Sequence, residues 1–192
     1  MAAKEAGYVF SEFEIDQVGI AFDGEETHQI MECISTIEEE METKTVTKNC
    51  RGIPVKKRTK GTGAGTLNLT GHIPMKVYTT AHGMKLDSLI DGVYGYGYNS
   101  AHKTFSLTVH VVNEDDEEKL KAYPNCVMNS GVARKVEDGS EEVAELELEI
   151  GVMPDEYGNG LYEALVSDLT TGTTAKDWMT KFKPATVQTP GA

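Results

Sequence analysis

The stretch from Ala144 to Val152 constrains the fold more than any other part of the chain. Ala144, Leu146, Leu148, Ile150 and Val152 alternate with Glu145, Glu147 and Glu149. A period of two puts the apolar set on one face of a strand and the three carboxylates in a row on the other. At about 3.3 Å per residue the strand is roughly 30 Å long, with one face in a core and one in water.

The rest of the chain points the same way. Leu67 and Leu69 alternate with Thr66, Asn68 and Thr70, and Phe105, Leu107, Val109 and Val111 alternate with Thr104, Ser106, Thr108 and His110, so two more half-buried strands are expected. Tyr8, Phe10, Phe13, Ile15, Ile20 and Phe22 suggest short strands, and residues 27 to 47, rich in β-branched side chains, a long strand feeding a hairpin. One helix is predicted from Pro74 to a stop at Gly83. Residues 161–169 and 175–182 read as short helical pieces, the second ended by Pro184. With 19 glycines between short elements, the expected class is mainly β: a two-sheet β-sandwich or partial barrel with a flanking α-helix. One domain over residues 1–192 is expected, with extended arms at 1–7 and 183–192.

Charge divides the chain. There are 31 Asp and Glu against 18 Lys and Arg, a formal charge of −13, which disfavours tight binding to nucleic acid across a broad face. Against that balance, residues 44–60 collect Lys44, Lys48, Arg51, Lys56, Lys57, Arg58 and Lys60, seven of the 18 basic residues. Gly52 and Pro54 within this apolar-poor stretch indicate a loop projecting from the core. Acidic runs lie at Glu38, Glu39, Glu40 and Glu42, and at Glu114, Asp115, Asp116, Glu117 and Glu118.

Candidate chemistry is sparse. Cys33, Cys50 and Cys126 are odd in number and form no CxxC pair, so neither a disulfide framework nor a zinc site is suggested. The five histidines form no HExxH, and no GxSxG elbow is present. Gly61 to Gly65 precedes a strand where a phosphate loop requires a helix, and reads as the flexible start of that strand. Gly95 to Tyr98 reads as a tightly packed strand end. No catalytic residue, cofactor or metal site is expected. No signal peptide or apolar run of membrane-spanning length is seen, so a cytoplasmic product without membrane insertion is the expectation.

Four blocks in order, DGVYGYGYNS (91–100), KLKAYPNCV (119–127), SGVARKVEDG (130–139) and AELELEIGVMPDEYGNG (144–160), resemble the major tail-tube proteins of non-contractile long-tailed bacteriophages, and GHIPMKVY and WMTKF agree with them. The resemblance spans roughly residues 30 to 187. It implies a virion structural protein of the tail-tube fold, whose inner sheet joins those of its neighbours. Hexameric rings would stack around a tape-measure protein and be capped by tail terminator and distal tail proteins, with double-stranded DNA passing through without specific binding. The family has no catalytic residues to carry over.

On that footing, Glu145, Glu147 and Glu149 are candidates for the channel wall. The basic loop is a candidate for contact with a neighbouring subunit, against Glu38 to Glu42 or Glu114 to Glu118. The alternatives are a soluble acidic binding module, a tail-end adaptor, and a secretion-type tube protein of the same fold.

Overall fold

A computed structural model describes residues 9–136, 138–139, 143–169 and 174–189. The chain runs β1 (Glu14–Phe22), β2 (Gln29–Met31), β3 (Ile34–Cys50), β4 (Ile53–Gly71), α1 (Met75–Ala81), β5 (Phe105–Val112), β6 (Glu118–Met128), β7 (Leu146–Val152), β8 (Tyr162–Leu165) and α2 (Ala175–Lys181). It is a mainly β fold with flanking helices. The strands form one antiparallel sheet in the order β2-β1-β5-β6-β7-β4-β3, with β8 added to β6.

β6 turns this sheet back on itself. Along one edge it pairs with β8 over 119–122 and with β7 over 126–128. As a result Glu39 on β3 reaches Lys121 and Tyr123 on β6, although β4 and β7 lie between those strands in the hydrogen-bonded order. In a flat sheet three strand spacings would separate them by about 14 Å. The curl encloses Leu67, Leu69, Phe105, Leu107, Leu148 and Ile150, and α1 adds Val77, Tyr78 and Ala81. On the other side of β6, Leu120 and Ala122 pack against Trp178, Met179 and Phe182 of α2 and its C-terminus.

Local chemistry accounts for several elements. Pro74 stands at the N-cap of α1, and Gly83, at φ 60°, ends it where a Cβ would meet the backbone of Ala101. Thr174 caps α2, its hydroxyl accepting the Asp177 amide at 3.0 Å. The hairpin between β3 and β4 closes through Arg51 and Gly52 at φ 50° and 80°, the paired positive angles of a type I′ turn.

Four sequence expectations change. Residues 162–165 form β8 rather than a helix, because they complete the open edge of β6; only Val166–Asp168 takes a 3-10 turn. Residues 95–98 lie in a turn-rich loop, not a strand end, and Gly97 stands in open space. The strand expected over 27–47 is broken between Met31 and Ile34, its first part pairing with β1 and its second with β4. In the expected C-terminal arm, Pro184–Val187 forms a 3-10 helix whose Val187 packs on the α2 cluster. The N-terminal arm at 1–7 and residues 190–192 lie outside the described residues.

Candidate functional site

The register of β3, β4 and β7 sorts their side chains into two faces. Leu67 stands between Glu39 and Ile150, and Leu69 between Ile37 and Leu148, on the core face. The opposite face carries the rows Glu38–Asn68–Glu149 and Thr36–Thr70–Glu147, with Glu40 beside Thr66. Every side chain in these rows is polar. Glu145 precedes β7 and accepts the Ser35 hydroxyl at 2.8 Å. The three glutamates line a groove of about 510 Å³ together with Arg134 and Lys135. Arg134 is held there by its guanidinium, stacked 4.5 Å from the Tyr78 ring centroid. The structure thus unites Glu145, Glu147 and Glu149 with Glu38 and Glu40, which the sequence alone placed in a separate acidic run.

The basic segment is the far part of the β3–β4 hairpin. From Thr43 to the turn its residues are exposed and pair only with each other. Eight residues per strand extend the ribbon roughly 25 Å beyond the body. Cross-strand pairing sets Lys44 opposite Lys60, Val46 opposite Arg58 and Lys48 opposite Lys56, so five cations share one face around a single valine. Arg51 sits at the turn, and Lys57, opposite Thr47, is on the other face. Like charges directly opposite one another destabilise a ladder, and an isolated two-stranded ribbon is marginal. The arrangement suits a ribbon that meets an anionic surface.

At the base of the hairpin, Gly63 has φ 78° and lies against the backbone of Gly158 and Gly160. The turn it touches is rigid. Asp155 accepts the amides of Tyr157 and Asn159 through Oδ1 and the Tyr162 hydroxyl through Oδ2, at 2.9, 3.0 and 2.7 Å. The glycine-rich stretch is therefore a seat for the 154–160 turn.

A second charged cluster, absent from the sequence reading, closes the curled sheet. The Lys121 side chain is only 5% exposed, and its ammonium lies 2.7 Å from Glu12 and 2.8 Å from Glu39, while Lys119 lies 3.0 Å from Glu12 and 2.7 Å from Glu163. Oxygens of Glu12, Glu39 and Glu163 come within 4.8 Å of one another, and the Lys121 ammonium takes the place an ion would fill. Burial works to raise the Glu12 carboxyl, but hydrogen bonds from Lys121 and Lys119 outweigh it and hold it below the usual range. Burial likewise opposes the charge on Lys119, yet Glu163 and Glu12 raise it. The Tyr123 hydroxyl, donating to Glu39, is pushed far up by burial and then by that carboxylate. The signal available in the sequence was the alternation of Lys119 and Lys121 with Leu120 and Ala122.

No protein-family model matches the sequence, and no curated protein sequence matches it. Among solved structures, a chain of the anti-feeding prophage cap, described as its tube terminating cap, is similar at 10% identity and a TM-score of 0.44, over 86% of this chain and 99% of that one. A chain of the six-fold symmetrised anti-feeding prophage baseplate is similar at 10% identity and 0.43, over 85% and 97%.

The remaining acidic candidates differ in availability. Glu39 is engaged within its own chain, Glu118 lies 3.0 Å from His110 Nε2, and Glu117 accepts the Asn113 amide group at 3.0 Å. Asn113 Oδ1 also caps the Asp115 and Glu117 amides, making the 113–117 segment an ordered turn. Two of the histidines serve packing. His82 stacks on Tyr78 and meets His102 edge to face, and His102 joins Tyr96 at 3.0 Å.

Proposed function

We propose that this chain is a tail-tube subunit of a long-tailed bacteriophage, polymerising as stacked hexameric rings whose channel conducts DNA. The observation that carries the reading is the polar face of β3, β4 and β7, backed directly by the core, on which the carboxylates of Glu38, Glu40, Glu147 and Glu149 outnumber the two cations beside them, Arg134 and Lys135. A channel wall for DNA needs such a face, because DNA carries one charge per about 1.7 Å of axis and a basic or apolar wall would hold or foul it. The ordered sequence blocks resembling major tail-tube proteins support the same reading. So does β3, whose outer edge pairs with no strand among the described residues and is suited to ring closure by edge pairing.

In this reading Glu38, Glu40, Glu147 and Glu149 face the lumen, and the basic hairpin reaches a neighbouring subunit. The tape-measure protein occupies the channel during assembly, and terminator and distal tail proteins cap the ends.

Electron microscopy of the concentrated protein tests this. Tubes with a central channel are expected; a monodisperse monomer or dimer would instead identify a soluble acidic module. Tubes carrying Glu147→Lys and Glu149→Lys should retain short duplex DNA at low salt where wild-type tubes do not. Equal retention would remove the acidic lumen from the reading.

A further inference from the structure

The geometry points to the loop over residues 84–98 as the surface that receives the basic hairpin of a second copy. This rests on the self-assembly proposed above and names the partner surface for it.

The hairpin asks for a mixed partner. Its five clustered cations surround Val46 on one face, while Ile53 and Val55, in step with Lys57, belong to the other; Val46, Ile53 and Val55 are exposed at 61%, 66% and 56%. None of the five cations has a carboxylate within ion-pair distance among the described residues. The polar face of β3, β4 and β7 supplies carboxylates but no apolar surface for Ile53 and Val55. Glu117 and Glu118 of the 113–118 region are engaged within their own chain.

The 84–98 loop offers both. It exposes Ile90 and Tyr98 at 79% and 99%, with Val93, Tyr94 and Tyr96 also open. A small hollow lined by Leu86, Leu89, Ile90, Val93 and Tyr94 also carries Asp91 and one cation, Lys85. Asp87 and Asp91 have no hydrogen-bond or ion-pair partner among the described residues. Tyrosine faces attract lysine and arginine cations, and a contiguous exposed apolar patch on an ordered loop marks an interaction site. The loop is ordered: Gly95 donates to the Met84 carbonyl at 3.0 Å, Leu89 to Leu86 at 3.0 Å and Val93 to Ile90 at 3.1 Å.

Topology places the two surfaces at opposite ends of the subunit. β4 leaves the hairpin near Gly65 and ends at Gly71, beyond which α1 leads into the loop. Those six steps cover roughly 20 Å, and the hairpin adds roughly 25 Å past the near end. β5 starts beside the loop and runs away from it, carrying the 113–117 turn toward the hairpin's end. Copies stacked head to tail therefore bring hairpin to loop. Contacts of this heterologous kind propagate into open stacks.

Charge exchange in the full-length protein tests the contact. Lys48→Glu with Lys56→Glu, and separately Asp87→Lys with Asp91→Lys, should each lower the sedimentable, tube-forming fraction at low salt by about tenfold, with unchanged circular dichroism. The four changes combined should restore most of it. Wild-type assembly by the loop variant, or a combined variant no better than the hairpin variant alone, would overturn the inference.

A second arm uses Ile53→Cys with Ile90→Cys in a Cys33→Ser, Cys50→Ser background. Oxidation should give intermolecular disulfides, since Cα atoms must approach within about 7 Å to be bridged. Tubes that form without this crosslink would also overturn the contact. Crosslinked oligomers from a protein that makes no tubes would retain the contact and remove the tube reading instead.

Discussion

The carbonyl of Gly63, at the base of the hairpin, occupies the space that a Cβ on Gly160 would need. A strand and a turn distant in sequence meet here through bare backbone, and the contact sets the hairpin against the hydrogen-bonded 154–160 turn. Gly160→Ala should force the two segments apart and cost about 1–3 kcal/mol in urea denaturation. Gly61→Ala, which meets nothing within 4 Å, should be neutral within about 1 kcal/mol. Equal effects from the two changes would show that the contact carries no strain.

Lys121 is the keystone of the sheet closure. Replacing it with methionine keeps the aliphatic stem but leaves Glu12, Glu39 and Glu163 facing one another. Because Lys121 is buried while its partners are partly exposed, the expected loss is roughly 2–4 kcal/mol. Adding Glu39→Gln and Glu163→Gln should recover part of it, as a double-mutant cycle would show.

Acid should weaken the fold in two stages. Burial lowers His28 and His82, with His102 and Arg134 adding to the shift at His82. A histidine held neutral in the fold contributes stability that is complete above the unfolded value near 6.5 and is lost as pH falls toward its lower folded value. Glu12, also lowered, contributes stability that is complete above about pH 4.3 and is lost below it. The urea midpoint should therefore be level from pH 8 to 7, decline below 6.5 and fall again below 4.3. His28→Gln with His82→Gln should flatten the first decline only.

The C-terminal segment should matter to the fold itself. Val187 packs on the α2 cluster, and the Gln188 side chain donates to the Tyr162 hydroxyl at 3.2 Å. Deleting residues 185–192 should lower stability by about 1–3 kcal/mol. An unchanged melting temperature, with altered assembly, would assign the segment to contacts between copies alone.

The mainly β class, the strand expected at 144–152 and found at Leu146–Val152, the strand at 105–111 and the helix after Pro74 were legible in the sequence, because each rests on local periodicity or a capping residue. β8 was not. Tyr162–Leu165 has no strong pattern of its own, and the unfilled edge of β6 decides its state. The cluster around Lys121 was hidden for a related reason: Glu12, Glu39 and Glu163 come from three separate segments, and only the curl of the sheet brings them together.

By itself the sequence determined which residues share a face. Alternation along 145–149 separates carboxylates from core side chains under any strand register, and the reversal of charge at residue 44 marks the hairpin. The tertiary structure alone decided which faces adjoin. Register between β3, β4 and β7 merged two distant acidic runs into one surface, and the course of β4 put the hairpin and the 84–98 loop at opposite ends of the subunit. Those relations depend on long-range hydrogen bonding and on the turn of β6 between two partners, neither of which has a period that a linear pattern can carry.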